Sequence, residues 1–310
     1  STESWQNLDP ETKRYQAKRM AVYAAMVEAM DFHIGRLIQH LKETGRYDNT
    51  IFIFASDNGS EGSGAGVEPA PANNLMLSLM DYNDDYETLG LKGSYGTIGP
   101  NFASAAASPL GYYKFYVGEG GLRVPLIIAG EPLTLSDPNS IIDAFSYATD
   151  IVPTILQLTG TPNPAGRYND RAVEPIVGRS VVPLLQGQAQ RIYGNDDAIG
   201  YELNGHRALF LGDHKIVYNR PPIGDGIWHL YNIAIDPGET NDLREQQPQR
   251  FARMQALYEQ FVVEHGVLPV AEDFDPQQVM FARLVQDRFG GYVIAMICVV
   301  VALVAFGFYR

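Results

Sequence analysis

The sequence predicts an α/β fold, and three observations predict it. Apolar residues recur at helical spacing from about Glu11 to Thr44. An apolar run of β-branched and aromatic residues, Ile51–Phe54, then breaks off at Asp57, Asn58 and Gly59, as a buried parallel strand does where it meets a polar turn. Beyond Gly187, short apolar segments alternate with Asn-Gly, Gly-Asp and Pro-Pro turns, the texture of an antiparallel sheet. At 310 residues and 45% hydrophobic content, the chain has room for one large domain with an appendage and a sizeable core. A formal charge of -13 disfavours a nucleic-acid surface and favours solubility. Cys298 stands alone, so no disulfide closes within the chain.

In the first helix the stripe Met20, Tyr23, Val27, Met30, Ile34, Leu37, Ile38 and Leu41 is expected to be buried, and Gly45 stops the helix. Asp31 and His33 on or beside this helix read as solvated or structural groups without chemistry. The strand end supplies the first candidate site. Asp57 and Asn58 set a carboxylate beside an amide carbonyl just past the carboxyl end of the strand, two hard oxygens of the kind Ca²⁺ or Mg²⁺ takes. The same Asp-Asn-Gly tripeptide is a favoured turn, and the local sequence leaves both readings open.

A long insertion, Glu61–Tyr113, follows with little periodicity, and Gly62–Ala72 and Ser104–Ser108 within it read as small-residue loops. Val124–Ala129 reads as a second buried strand, entered through Gly120–Gly121 and flanked by Glu119 and Arg123, which are expected to satisfy backbone groups or to pair with each other. Ser146–Thr159 reads as a helix with Asp150 near its start and Pro153 in its first turn. Strands are expected at Ile199–Leu203, His206–Leu211, Lys215–Tyr218 and Trp228–Tyr231, then a turn at Asp236–Glu239 and a helix over Leu243–His265 packed on the sheet. His206, His214 and His229 are scattered among these segments, a poor pattern for zinc. Phe274–Phe289 reads as an amphipathic linker. Gly290–Tyr309 carries no charge and is bracketed by Tyr292 and Tyr309, the pattern of a terminal transmembrane helix.

Several segments carry a resemblance. Tyr23–Gly59 reads Y-A-A-M-V-E-A-M-D-F-H-I-G-R-L-I-Q-H-L-K-E-T-G-R-Y-D-N-T-I-F-I-F-A-S-D-N-G, and after it come K-F-Y-V-G-E-G-G-L-R-V-P-L-I-I, S-Y-A-T-D-I-V-P-T-I-L-Q-L-T-G, G-R-S-V-V-P-L-L-Q-G, R-A-L-F-L-G-D-H-K-I-V-Y and W-H-L-Y-N-I-A-I-D-P-G-E-T. In this order they resemble the second half of type I sulfatases, the arylsulfatase family of the alkaline-phosphatase-like superfamily, over roughly Tyr15 to Leu243. The resemblance implies a mixed sheet flanked by helices over residues 1–192 and a small antiparallel C-terminal subdomain over 193–273. Residues 274–289 and 290–310 would then be linker and membrane helix.

The same resemblance implies roles for residues. Asp57 and Asn58 would be metal ligands, with Ca²⁺ expected ahead of Mg²⁺. The stretch L-K-G-S-Y-G-T-I-G-P-N-F-A, running on to Tyr113 and Lys114, resembles the bacterial arylsulfatase branch, in which an aromatic-Ala pair precedes a catalytic lysine; by position that lysine is Lys114. Lys92, Tyr95, Asn101 and Tyr113 are candidates for the substrate entrance. The family's formylglycine nucleophile arises from a C/S-x-P-x-R motif, which this sequence does not contain, so the chain is expected to be the back part of a longer protein and inactive alone.

Three readings of function are open on the sequence. The first is a metal-dependent hydrolase of small-molecule or glycan sulfate monoesters, anchored in a membrane with its catalytic domain in the periplasm or outside the cell. The second is a phosphatase, phosphodiesterase or phosphotransferase of the same superfamily. The third is an inactive, membrane-anchored relative.

Overall fold

Asp9 accepts hydrogen bonds from the backbone N–H groups of Glu11 and Thr12, and Pro10 occupies the first turn, so the long helix starts where its orphan donors are satisfied. This helix, α1, spans Pro10–Glu43, and Gly45 follows it with a φ of 65°. The structure, a computed structural model, describes residues 4–62, 77, 80–221, 224–271, 274, 279, 282–283 and 286. The expected transmembrane segment Gly290–Tyr309 and most of the linker before it lie outside the described residues. Among the described residues no helix is long and apolar enough to cross a membrane. The chain divides into Ser1–Glu264 and His265–Arg310, and every element below lies in the first unit except for the last residue of the final helix.

The stripe on α1 is placed differently from expectation. Tyr23, Val27, Met30 and Leu37 are exposed, while Met20, Ile34, Ile38 and Leu41 are half-buried. The first turns are held by side-chain bonds, where Tyr15 donates to the Asp84 carbonyl at 2.9 Å, Lys18 to the Tyr86 carbonyl and Arg19 to the Thr97 hydroxyl. Period alone marks a face for burial, and contact partners then decide how much of it is covered.

β1, Phe52–Ala55, pairs antiparallel with β2, Leu126–Ala129, in register from Phe52 opposite Ala129 to Ala55 opposite Leu126. This corrects the reading of a buried parallel strand, and the burial expected of Val124–Ala129 is corrected with it, because Leu126 and Ile127 are exposed. An apolar run specifies an extended strand, but its direction depends on the segment brought alongside. Here Ser56 N–H donates to Pro125 O at 3.3 Å and Gly59 N–H to Gly121 O at 3.0 Å, continuing the antiparallel approach past the strand end.

Between these strands the chain forms α2, Gly99–Ala107, and a single helical turn α3, Glu119–Leu122. The small-residue loop expected at Ser104–Ser108 is therefore mostly helix. Pro100 sits in the first turn, Ala has the highest helix propensity, and the Phe102 ring packs 5.7 Å from Trp5. α4 spans Ile151–Leu158, preceded by a 3₁₀ turn at Ala148–Asp150. Asp150 is buried at that junction and accepts from the backbone N–H groups of Tyr147 and Arg179, both at 2.7 Å. A two-residue ladder, β3 (Arg167–Tyr168) with β4 (Arg171–Ala172), and the short helix α5, Val182–Leu185, complete this part.

The four-stranded sheet follows its sequence pattern closely. β5 (Ala198–Leu203), β6 (His206–Leu211), β7 (His214–Tyr218) and β8 (Trp228–Asn232) form an antiparallel meander in sequence order. Side chains alternate between its faces. Leu209, Leu211, Ile216 and Leu230 pack with Leu243, Met254 and Tyr258 under the helix α6, Pro248–His265. That helix starts at Pro248 rather than at Leu243, since proline fits the first turn and Leu243–Gln247 form the turn before it. Ala208 and Val217 point the other way and pack against Val117, so the second face of the sheet is the floor under residues 111–122.

Candidate active site

The turn after β1 and the loop at 111–122 are built against each other. Lys114 N–H donates to Ser60 O at 3.0 Å and Gly59 N–H to Gly121 O at 3.0 Å, so the Asp57–Asn58 turn and Lys114 stand side by side. Their approach depends on glycine: a Cβ on Gly59 would lie 1.8 Å from the Gly120 carbonyl oxygen. Within the turn, the Ser56 hydroxyl donates to Asn58 O at 2.8 Å. The Asp57 side chain is exposed and that of Asn58 half-buried.

Lys114 is neither free nor deeply buried. Its Nζ lies 2.8 Å from Glu61 Oε2, at side-chain exposures of 33% and 38%, and 5.2 Å from the centre of the Phe115 ring. Tyr112 and Phe115 on either side take positive φ values of 65° and 81°, an uncommon conformation for residues with side chains. Tyr113 packs its ring over Gly62, where a Cβ would come within 2.5 Å of it, and lies edge-on to Tyr116 at 5.4 Å. Burial, with Glu61 nearby, raises the Tyr113 phenol above its ordinary value, so it stays a neutral donor.

The other entrance candidates are placed elsewhere. Tyr95 sits on the α1 side: its N–H bonds Asn83 O at 2.7 Å and its ring lies 6.0 Å from Tyr82. Lys92 is exposed in the same turn, and Asn101 is exposed in the first turn of α2. Tyr113, next to Lys114 in the chain, packs on Gly62 just past the Asp57–Asn58 turn.

Asp57 and Asn58 suit a hard divalent cation by donor type and fall short of it by number. They present one carboxylate and one amide oxygen, and among the described residues no group of three or more His, Cys, Asp or Glu is arranged to hold a metal. A Ca²⁺ ion takes about six to eight oxygens, so these two residues could be only part of its shell.

Sequence reading missed a buried ion triad beneath the loop. Lys215 Nζ lies 2.9 Å from Glu119 Oε1 and 2.8 Å from Glu239 Oε1, with side-chain exposures of 0%, 4% and 3% for Lys215, Glu119 and Glu239. Glu239 Oε2 also accepts from the Glu119 backbone N–H at 2.9 Å. Burial alone would lower the Lys215 pKa, but the pull of Glu239 and then Glu119 outweighs it and leaves the ammonium above its ordinary value. Burial holds Glu239 above the usual carboxylate range. Glu119 and Arg123, expected to satisfy backbone groups or to pair with each other, do not pair: Glu119 meets Lys215 and Arg123 meets Asp143, each at 2.9 Å. One signal was available. In the β7 alternation Lys215 shares a face with Val217, opposite Ile216, and a lysine on a covered face needs acidic partners.

A cavity of about 260 Å³ lies beside the triad, lined by Tyr112, Asn219, Asp225, His229, Tyr231 and Glu239 among others. His229 bridges its rim, with Nδ1 2.8 Å from Asp242 and Nε2 2.9 Å from Asp225.

Comparison with known proteins gives the family of the chain. A family model described as Sulfatase matches residues 1–161. An uncharacterized sulfatase of Schizosaccharomyces pombe is 35% identical over 279 residues, covering 90% of this chain and 49% of that protein. An arylsulfatase of Klebsiella aerogenes is 34% identical over 180 residues, covering 57% of this chain and 37% of that one. A solved Bacteroides thetaiotaomicron structure, described under the metabolism of multiple glycosaminoglycans, matches with a TM-score of 0.51 at 21% identity, over 75% of this chain and 42% of its own. That last likeness is one of α/β fold. The chain spans about half the length, or less, of the curated relatives it matches.

Proposed function

This chain belongs to the sulfatase family, within the alkaline-phosphatase-like superfamily, and we propose that it is the part of a metal-dependent sulfate-ester hydrolase that presents Asp57 and Asn58 to the cation and Lys114 to the sulfate. The observation that supports this reading is the pairing of the two segments: Lys114 N–H on Ser60 O and Gly59 N–H on Gly121 O bring the backbone of Lys114 next to the turn that carries Asp57 and Asn58. A cation held at Asp57 and Asn58 with the Lys114 ammonium nearby would suit an anionic group whose charge grows as its ester bond breaks.

A divalent cation, when bound, would draw charge from the sulfate oxygens. Lys114 would donate to a sulfate oxygen or to the bridging oxygen. Glu61, 2.8 Å from the Lys114 ammonium, holds that group in place until an anion competes for it. Tyr113, kept neutral by burial, walls the same side. The chain lacks a C/S-x-P-x-R motif, and the nucleophile of the reaction is assigned to residues other than these. The substrate class is a small-molecule or glycan sulfate ester. Anchoring through the apolar run Gly290–Tyr309, with the site in the periplasm or outside the cell, completes the proposal.

In the full-length protein, Lys114→Ala should lower kcat by roughly 10²- to 10⁴-fold, the scale of losing a preorganised donor at developing charge, with Tm nearly unchanged on the same sample. Near-normal turnover would show that Lys114 is only a surface partner of Glu61. The 310-residue chain by itself should hydrolyse no aryl sulfate, for want of the nucleophile motif, and detectable turnover would refute that.

A further inference from the structure

We propose that Lys215 is a positioning residue for Lys114 and for the Asp57–Asn58 turn, acting with Glu119 and Glu239 as a buried ionic bolt that sets the loop presenting both. This rests on the reading of Lys114 and Asp57 given above. Lys215 is fully buried, so it reaches no substrate. Its effect has to travel through the backbone.

The route is short. Glu119 is gripped twice, by Lys215 Nζ on its side chain at 2.9 Å and by Glu239 Oε2 on its backbone N–H at 2.9 Å. The next residue, Gly120, donates its N–H to Gly111 O at 2.7 Å and so closes the loop that carries Lys114. Gly121 accepts from the N–H of Gly59, the neighbour of Asn58, at 3.0 Å. No slack exists along this path: a Cβ at Gly59, Gly120 or Gly121 would meet a backbone oxygen at 1.8, 2.2 or 2.3 Å. Displacing Glu119 therefore displaces Gly59 and Lys114 together.

Ionic rather than apolar chemistry fits this task. Buried ion pairs are often replaceable by apolar side chains without loss of stability, so stability is a weak reason for keeping three buried charges. What the triad adds is direction, because an ammonium between two carboxylates fixes the relative placement of three chain segments. Those segments come from α3, β7 and the turn at Asp236–Glu239, far apart in sequence. Lys215 keeps its charge across neutral pH, as a fixed strut must and a proton carrier need not.

The test uses the full-length protein carrying Lys215→Met or the near-isosteric Glu239→Gln, with kcat, KM and residue-resolved amide exchange measured together. We expect kcat to fall roughly 10- to 100-fold with KM within about twofold, the scale of a small misplacement of reacting groups. Protection of the Gly59, Lys114 and Gly120 amides should fall about tenfold while α6 keeps its own, with Glu239→Gln the milder of the two. Unchanged protection at those three amides in both variants would overturn the proposal. So would a uniform loss that includes α6, which would make the triad a stabiliser only. If Lys114→Ala proves harmless, the function reading fails and amide exchange still decides whether the triad sets the loop.

Discussion

The β5–β8 meander with α6 and the region of α1, β1 and β2 carry comparable apolar stripes and treat them differently. In the meander, Leu209, Ile216, Leu230 and Met254 are wholly buried, one face closed by α6 and the other by residues 111–122. Along α1, Met26, Val27, Met30 and Leu37 face solvent, and Leu126 and Ile127 of β2 do the same. Closure separates the two regions rather than composition. Adjacent strands joined by short turns find their partners locally, whereas a 34-residue helix must be covered by segments distant in sequence. The site lies on the boundary, with Asp57 and Asn58 belonging to the open region and Lys114 resting on the closed one.

The sharpest way to break the contrast is to cut both regions by equal chemistry. Leu230→Ala, in the closed region, should cost about 2–5 kcal/mol in urea unfolding, since it empties a fully buried position. A cost under 1 kcal/mol would mean that the sheet core is loose. Next in size is Gly59→Ala at the boundary, expected to cost about 1–3 kcal/mol because its Cβ meets the Gly120 carbonyl oxygen at 1.8 Å. Wild-type stability in that variant would show that the two segments are not in contact in solution.

A smaller effect comes from the Arg179–Asp197 pair. The Arg179 hydrogen bond, helped by Gly194 N–H, lowers Asp197 from 3.8 to about 2. A lowered folded-state value means that the pair stabilises above pH 4 and loses its contribution as pH falls from there through about 2. Both side chains are partly exposed, so Arg179→Met should flatten the stability profile in that window by less than about 1 kcal/mol and leave it parallel to wild type above it. Smallest of all is Val27→Ala on α1, expected within about 0.5 kcal/mol for an exposed site. A cost above about 1 kcal/mol would show this stripe covered in solution and would erase the contrast between the regions.

Much of the fold is legible in the residues. Asp9-Pro10 at one end and Gly45 at the other bound α1, and alternation with turn dipeptides bounds all four strands of the meander to within a residue or two. Ala-rich α2 departs from the expected loop because small residues suit loops and helices alike, and Pro100 with the Phe102–Trp5 contact decides between them. Asp57, Asn58 and Lys114 were picked out by resemblance. Their adjacency follows from the backbone bonds of Ser60 and Gly59, which no local pattern encodes.

The sequence by itself determined the long first helix, the four strands of the meander and the family the chain belongs to, because period, turn chemistry and motif are properties of neighbouring residues. Tertiary structure alone decided the antiparallel pairing of β1 with β2, the exposure of the α1 stripe and the meeting of Glu119, Lys215 and Glu239. Each of these depends on a contact, made or not made, between residues tens of positions apart. Its free energy exists only once the chain has closed, and so no stretch of sequence carries it alone.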